Sequence, residues 1–257
     1  MNTQDKEPDD KIKLNKVGIT DLKTLIKIKR DEKEYWHTPK VSIFIDLPEN
    51  KKGIHMSRLI ECITESLEEE IEEEHYSLEN LGKNILKKVR SKHSYQKGEI
   101  SFVSELPIIK KTPKSKKRTV ELHEVFVKVI HDGTWKKVLR VEVIGNTLCP
   151  HALEFSGKTH IQRAKGTLEI ECEFEKDITL EEMIDIVEES FSSEVYTLLK
   201  SEDEAHVIEA MHKNPRFVED VTRRILERSK KFGCRARAEC ISYESIHRHN
   251  VYSEGEI

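Results

Sequence analysis

The sequence predicts an α+β chain whose antiparallel sheets carry paired helices on one face. Three observations predict it. Several segments alternate apolar and polar residues and are rich in β-branched side chains. Others repeat apolar residues at helical spacing. Their order is strands, two consecutive helices, then strands, and it occurs twice. No sequence repeat accompanies this repeat of pattern, so the halves read as tandem modules. The first is placed at 13–134 and the second at 135–257, after a disordered tail at 1–12.

Each element has a local reason. VSIFIDLP (41–48) alternates and ends at a proline, as a strand does. From Ser57 the period changes, and Leu59, Ile63, Leu67 and Ile71 share one helical face opposite glutamates. A second helix starts at Ser77, whose hydroxyl suits an N-cap. GEISFVSELPII (98–109) returns to strand character, and KKTPKSKKR (110–118) reads as a basic, solvated hairpin tip. VELHEVFVKVI (120–130) and WKKVLRVEVIG (135–145) flank Asp132-Gly133, a hairpin turn signal. GTLEIECEFEK (166–176) is a further strand, and Thr179 opens a helix through the capping box TLEE. The last helix is expected to start with Asn214 as N-cap and Pro215 at its first position. Gly233 ends it, and CRARAECISYES (234–245) forms the last strand. Sheets of this kind leave edges that a homo-oligomer can cover.

Composition narrows the function classes. Of 257 residues, 36% are hydrophobic and 36% charged, enough apolar side chain for a core, so global disorder is excluded. A formal net charge of −4 with mixed signs argues against a nucleic-acid binder. Five scattered cysteines suggest no disulfide framework, and no apolar run suits a signal peptide or a membrane span. A cytoplasmic protein is the expectation.

The chemistry-bearing residues come late. In TLCPHALEFSGKTHIQRA (147–164), Cys149 stands at a strand end and His160 at the start of the next strand. A cysteine there either packs or binds a metal as thiolate. Soft sulfur with imidazole suits zinc or ferrous iron, but two ligands are not a site. Asp203 and Glu204 in LLKSEDEAHV are read as following a helix, on an acidic surface or as donors. Glu219 in FVED serves either the helix dipole or a ligand. Glu244 and His247 end the last strand in YESIH.

Eight stretches in order resemble the landmarks of the type IB GTP cyclohydrolase family, which includes archaeal methanopterin-pathway enzymes. They are VGIT (17–20), FIDLP (44–48), GIHMSR (53–58), LCP (148–150), HIQR (160–163), LLKSEDE (198–204), NPRFVED (214–220) and YESIH (243–247). The resemblance runs from about residue 13 to the C-terminus. It implies two tunnelling-fold modules per chain and homo-oligomeric assembly, as a tetramer or dimer of dimers. It also implies hydrolysis of GTP at C8 of the purine, with release of formate and formation of a dihydroneopterin phosphate, as the cyclic phosphate or the triphosphate.

By resemblance, Cys149, His160 and Glu204 match metal ligands, with Fe(II) expected first and Zn(II) or Mn(II) as alternatives. Glu219 matches the glutamate that anchors guanine, and Glu244 and His247 an active-site pair. Arg163, Arg58 and His55 are candidates to hold the phosphates. The chain departs from many bacterial members at His151, where they carry a second cysteine, and its loop to His160 aligns one residue shorter. Two other readings are a tunnelling-fold reductase of a modified-base pathway and an inactive metal-stabilised homologue.

Overall fold

A computed structural model describes residues 3–30, 33–70 and 77–257. The first elements are β1 (Leu14–Lys23), β2 (Ile26–Arg30), β3 (Lys33–His37), β4 (Lys40–Leu47), α1 (Met56–Glu70) and α2 (Leu78–Lys92). Three long strands follow: β5 (Gly98–Lys111), β6 (Arg118–His131) and β7 (Trp135–Leu148). Then come α3 (Pro150–Ser156), β8 (Ile161–Glu173), α4 (Leu180–Glu188), β9 (Ser193–Glu194), α5 (Ser201–Lys213), α6 (Val218–Ser229), β10 (Arg235–Ser242) and β11 (Val251–Glu256). The α+β class with antiparallel sheets is as the sequence predicts.

The chain divides into two compact units. The first takes Met1–Ser104, Phe126–Val138 and Glu173–Glu175, and the second takes Glu105–Val125, Leu139–Cys172 and Lys176–Ile257. The expected cut between residues 134 and 135 is therefore not where the chain divides. β5, β6 and β7 are each 14 residues long, more than twice the usual strand, and contribute to both units.

In the first unit β4 lies between β1 and β5, antiparallel to both, with Ile43 opposite Ile19 on one side and Ile100 on the other. Val41, Ile43 and Ile45 point inward at alternate positions, as the period of two requires. α1 buries Leu59 and Ile63 of the predicted stripe, whereas Ile71 lies outside the described residues. α2 begins where expected, with the Ser77 hydroxyl accepting from the Asn80 amide at 3.2 Å. Gly82 lets this helix approach closely, since a Cβ there would stand 2.9 Å from Val129 Cγ2. Residues 3–6, expected in a disordered tail, instead form a 3-10 turn at Thr3–Asp5. Backbone bonds from Lys52 N to Lys6 O (2.9 Å) and from Gly53 N to Gln4 O (3.2 Å) tie it down.

In the second unit the ladder order is β7-β8-β10-β11, with β9 also on β7. β10 is antiparallel to both neighbours, pairing Ala238 with Leu168 and Cys240 with Ser253. α4 buries Met183, Ile184 and Val187, and α6 buries Val221 and Ile225. Phe191, after α4, packs where β7 and β8 carry glycine. A Cβ on Gly145 would stand 2.1 Å from its ring, and one on Gly166 3.0 Å.

The structure departs from the predicted elements in instructive places. α3 and β11 were not expected. α5 starts at Ser201, so the acidic run Glu202-Asp203-Glu204 opens a helix instead of following one. Asn214 is the C-cap of α5, and α6 starts at Val218 with Phe217 as N-cap. The basic loop is also no free tip. Fully buried Asp203 accepts from Lys114 N (2.8 Å), Ser115 N (2.9 Å), Ser115 Oγ (2.6 Å) and Lys200 N (3.0 Å). Burial alone would raise this carboxyl, but these donors hold it well below the usual carboxylate range.

Candidate active site

The site is built where β7, β8 and β10 end in the second unit. β7 runs into Cys149, which caps α3. Its Sγ accepts from Ala152 N at 3.4 Å, and Pro150 at the first helical position has no amide N–H of its own to satisfy. α3 ends after two turns at Gly157, whose φ of 68° is the left-handed conformation that glycine tolerates. The chain then returns at once. Cys149 N donates to His160 O at 3.4 Å and Thr159 Oγ1 to Cys149 O at 2.8 Å. This short excursion sets His160 beside the cysteine.

Around His160 the hydrogen bonds have a direction. Ser242 Oγ donates to Glu244 Oε1 at 2.8 Å, and Gln162 Nε2 donates to the same oxygen at 3.3 Å. The Gln162 amide is thereby oriented with Oε1 toward His160 Nδ1, at 2.9 Å. That oxygen only accepts, so Nδ1 carries a proton, and of the two neutral tautomers the one selected leaves the lone pair on Nε2. Glu244 Oε2 adds a longer contact to Nδ1 at 3.9 Å. A carboxylate and amide behind an imidazole is the arrangement that fixes a metal-ligating tautomer. Gln162 is buried and was not expected from the sequence; it is the second residue of β8, two positions after His160, which immediately precedes the strand.

The opposite wall comes from α6. Arg216 N donates to Leu148 O at 3.1 Å, joining the segment before α6 to the residue before Cys149. The Arg216 Nη1 donates to three carbonyls after α4: Glu189 (3.1 Å), Ser190 (2.6 Å) and Phe191 (2.6 Å). Asp220 caps the helix by accepting from Phe217 N at 3.2 Å. Glu219 thus stands in the first turn of a doubly anchored helix. The resulting cavity, of about 280 Å³, is lined by Cys149, His160, Glu219, Glu244, His247 and Gln162, among others. The His160 and His247 rings meet edge-on at 6.4 Å, and His249 stacks on His247 at 5.1 Å.

Of the expected site residues, Cys149, His160, Glu219, Glu244 and His247 therefore meet in one cavity. Arg163 is exposed on β8 and is not part of the lining; Tyr243 N donates to its carbonyl. Glu204 is exposed in the first turn of α5, outside this lining, where its charge complements the helix dipole. Arg58 and His55 belong to the first unit and line a cavity there. For a divalent metal, Cys149 sulfur and His160 Nε2 fit as donors in kind. Among the described residues no group of three His, Cys, Asp or Glu side chains is placed to hold one, so the fit rests on this pair.

A family model described as type I GTP cyclohydrolase folE2 matches residues 1–253. The chain belongs to that family. It is 49% identical to GTP cyclohydrolase MptA of Thermococcus kodakarensis over 262 residues, covering 99% of this chain and 98% of the relative. It is 48% identical to GTP cyclohydrolase MptA of Pyrococcus furiosus, with the same coverage. GTP cyclohydrolase MptA of Methanobrevibacter smithii is 36% identical, over 98% of this chain and 94% of the relative. Among solved structures, uricase from Arthrobacter globiformis superposes with a TM-score of 0.57 at 7% identity, over 95% of this chain and 93% of that one. A hyper-thermostable mutant of the same uricase gives 0.59 at 7% identity, over 95% and 91%. At such identity the likeness shows the fold alone, the urate-oxidase-like tunnelling fold within the α+β class.

Proposed function

We propose that this type I GTP cyclohydrolase family member hydrolyses GTP in the cavity of its second unit, opening the imidazole ring at C8. One observation carries the reading: five side chains from four separated sequence stretches, Cys149, His160, Glu219 and the pair Glu244/His247, line a single cavity. Glu219 accepts from N1–H and the exocyclic N2–H of guanine, a bidentate match that adenine lacks. His247 carries the proton for the ring nitrogen as the C8–N bond breaks, a role for which imidazole is suited near neutral pH. Gln162 and Glu244 hold His160 in one tautomer. Phe217 and Val218 supply the apolar part of the wall.

A divalent metal, Fe(II) first and Zn(II) or Mn(II) otherwise, is part of this proposal, held by Cys149 as thiolate and by His160 Nε2. It would supply an activated water at neutral pH. C8 leaves as formate and the product is a 7,8-dihydroneopterin phosphate, cyclic phosphate or triphosphate, for methanopterin-type pterin synthesis. The working form is a homo-oligomer in the cytoplasm. Among the described residues no helix is long and apolar enough to cross a membrane.

The test is anaerobic incubation with GTP and Fe(II), Mn(II) or Zn(II), oxidation, and detection of pterin fluorescence, with mass spectrometry of the product. Cys149→Ala and His160→Ala are expected to abolish turnover, and Glu219→Ala to raise KM chiefly. Absence of pterin with all three metals would overturn the reading.

A further inference from the structure

The second unit buries a cluster of charged side chains outside the lining of its cavity. Lys110 of β5 donates through Nζ to Glu188 Oε2 at the end of α4, and to Glu194 Oε2 of β9 at 2.9 Å. The Glu188 side chain is only 5% exposed. A buried ion pair is a weak source of stability, since apolar residues of similar volume often serve as well. His123 of β6 sets Nε2 3.6 Å from Glu188 Oε1, too far for a hydrogen bond, and that atom is buried without a partner.

The position of the cluster gives it another use. Glu188 and Glu194 bracket Glu189, Ser190 and Phe191, whose carbonyls receive Arg216 Nη1. One ammonium thus ties both ends of the segment on which Arg216 is seated. Within it, Ser192 N donates to Asn146 O at 2.9 Å and Asn146 Nδ2 to Ser193 Oγ at 3.1 Å, three residues before Cys149. Beyond it, Thr197 N and Oγ1 donate to buried Glu121 at 2.9 and 2.7 Å. Arg216 N in turn holds Leu148 O, and Glu219 follows three residues later at the start of α6.

We propose that Lys110, Glu188 and Glu194 are positioning residues for purine binding: ionised Glu188 keeps the three carbonyls set for Arg216, and proton uptake by Glu188 loosens that seat and weakens binding at Glu219. The inference rests on the reading of this cavity as the guanine site.

The surroundings place the change near neutral pH. Burial pushes the Glu188 carboxyl up to about 7, against the pull of Lys110. Burial would lower Lys110, but its two carboxylates hold it above its ordinary value, so it stays an ammonium. His123 is pushed down to about 4 by burial and is neutral here. Asp185, on the same helix, is raised by burial, and so is Tyr196, which stands beside Glu194 and Glu121. As pH falls through about 7, Glu188 therefore becomes neutral while its cation persists.

Isothermal titration calorimetry of the full chain with guanosine, at about pH 8 and about pH 6, tests the proposal. Guanosine has no phosphates and no group that titrates between those values. The parent should bind about fivefold more weakly at the lower pH, the small end of coupling between linked sites. Glu188→Gln keeps the side chain's size and fixes it neutral. It should bind about fivefold more weakly than the parent at about pH 8 and match it at about pH 6. Glu189→Gln, at the exposed neighbour that pairs with Arg228, should keep the parent's pH dependence. In turnover, Glu188→Gln should raise KM for GTP with kcat unchanged, a split that a merely unstable fold would not give. Equal parent affinity at the two pH values overturns the proposal, and this holds even if Glu188→Gln does not fold. So does a Glu188→Gln chain with the parent's affinity at about pH 8, or absence of guanosine binding at both. Pterin formation with pH-independent guanosine affinity overturns this inference alone. Guanosine binding that weakens at low pH, without pterin formation, overturns the proposed function alone.

Discussion

Replacing Asp203 by asparagine removes one oxygen and one charge from a fully buried group without changing its size. Four donors converge on the carboxylate, two on each oxygen: Lys114 N and Ser115 N on Oδ1, Ser115 Oγ and Lys200 N on Oδ2. Asparagine keeps one acceptor oxygen, so two donors lose their partner and face an amide N–H. Each lost bond to a charged group is worth about 1.5–3 kcal/mol, which puts the cost of Asp203→Asn at about 3–6 kcal/mol at neutral pH. Urea unfolding should show a lowered midpoint at unchanged slope, and amide exchange at Lys114 and Ser115 should accelerate. The acid side gives an independent check. The folded carboxyl titrates below its ordinary 3.8, so the unfolded chain binds more protons in that range. The stabilisation is present above 3.8 and is lost as pH falls through the folded value, and the variant should lack this part of the acid slope. A cost under about 1 kcal/mol, or an acid slope equal to the parent's, would refute the assignment.

Two further substitutions probe how the site is held. Arg216→Met removes a cation that serves three carbonyls after α4, and is expected to cost about 2–5 kcal/mol in urea unfolding while raising KM for GTP through movement of Glu219. Gly145→Ala places a methyl 2.1 Å from the Phe191 ring; thermal unfolding should show a loss of about 1–3 kcal/mol, and Phe191→Leu in the same chain should recover part of it.

Much of the second unit's site could be read from sequence because its parts are local or punctuated. Cys149 and His160 flank one short helix, and Thr179 and Gly233 mark helix ends by side chain and by φ. Gln162 was hidden because an amide has no chemical signature until a neighbour orients it. Asp203 and Glu204 are adjacent acids, and only the helix start tells which is buried. Lys200 is not a residue that announces an N-cap, so the helix start is not marked in the sequence, nor is Asp203 as the N3 carboxylate that accepts from the Lys200 amide. β11 alternates half-buried and exposed residues (Val251, Ser253 and Gly255 inward) and lacks the β-branched density that marks β4. The two-unit division was illegible for a different reason. Strands of 14 residues cross it, and turn signals report where a strand ends, not which core it serves.

The return of the chain from Cys149 to His160 also bears on the order in which the cavity is assembled. Those residues are 11 positions apart, whereas Cys149 and Glu244 are 95 apart. For a flexible chain the entropy of closing the longer loop exceeds that of the shorter by about 2 kcal/mol. The sulfur and imidazole therefore come together at small entropic cost, while Glu244 and His247 wait for β10 to dock on β8. A chain caught before that docking would already hold its thiol and imidazole close, but without the amide and carboxylate that fix the ring's tautomer.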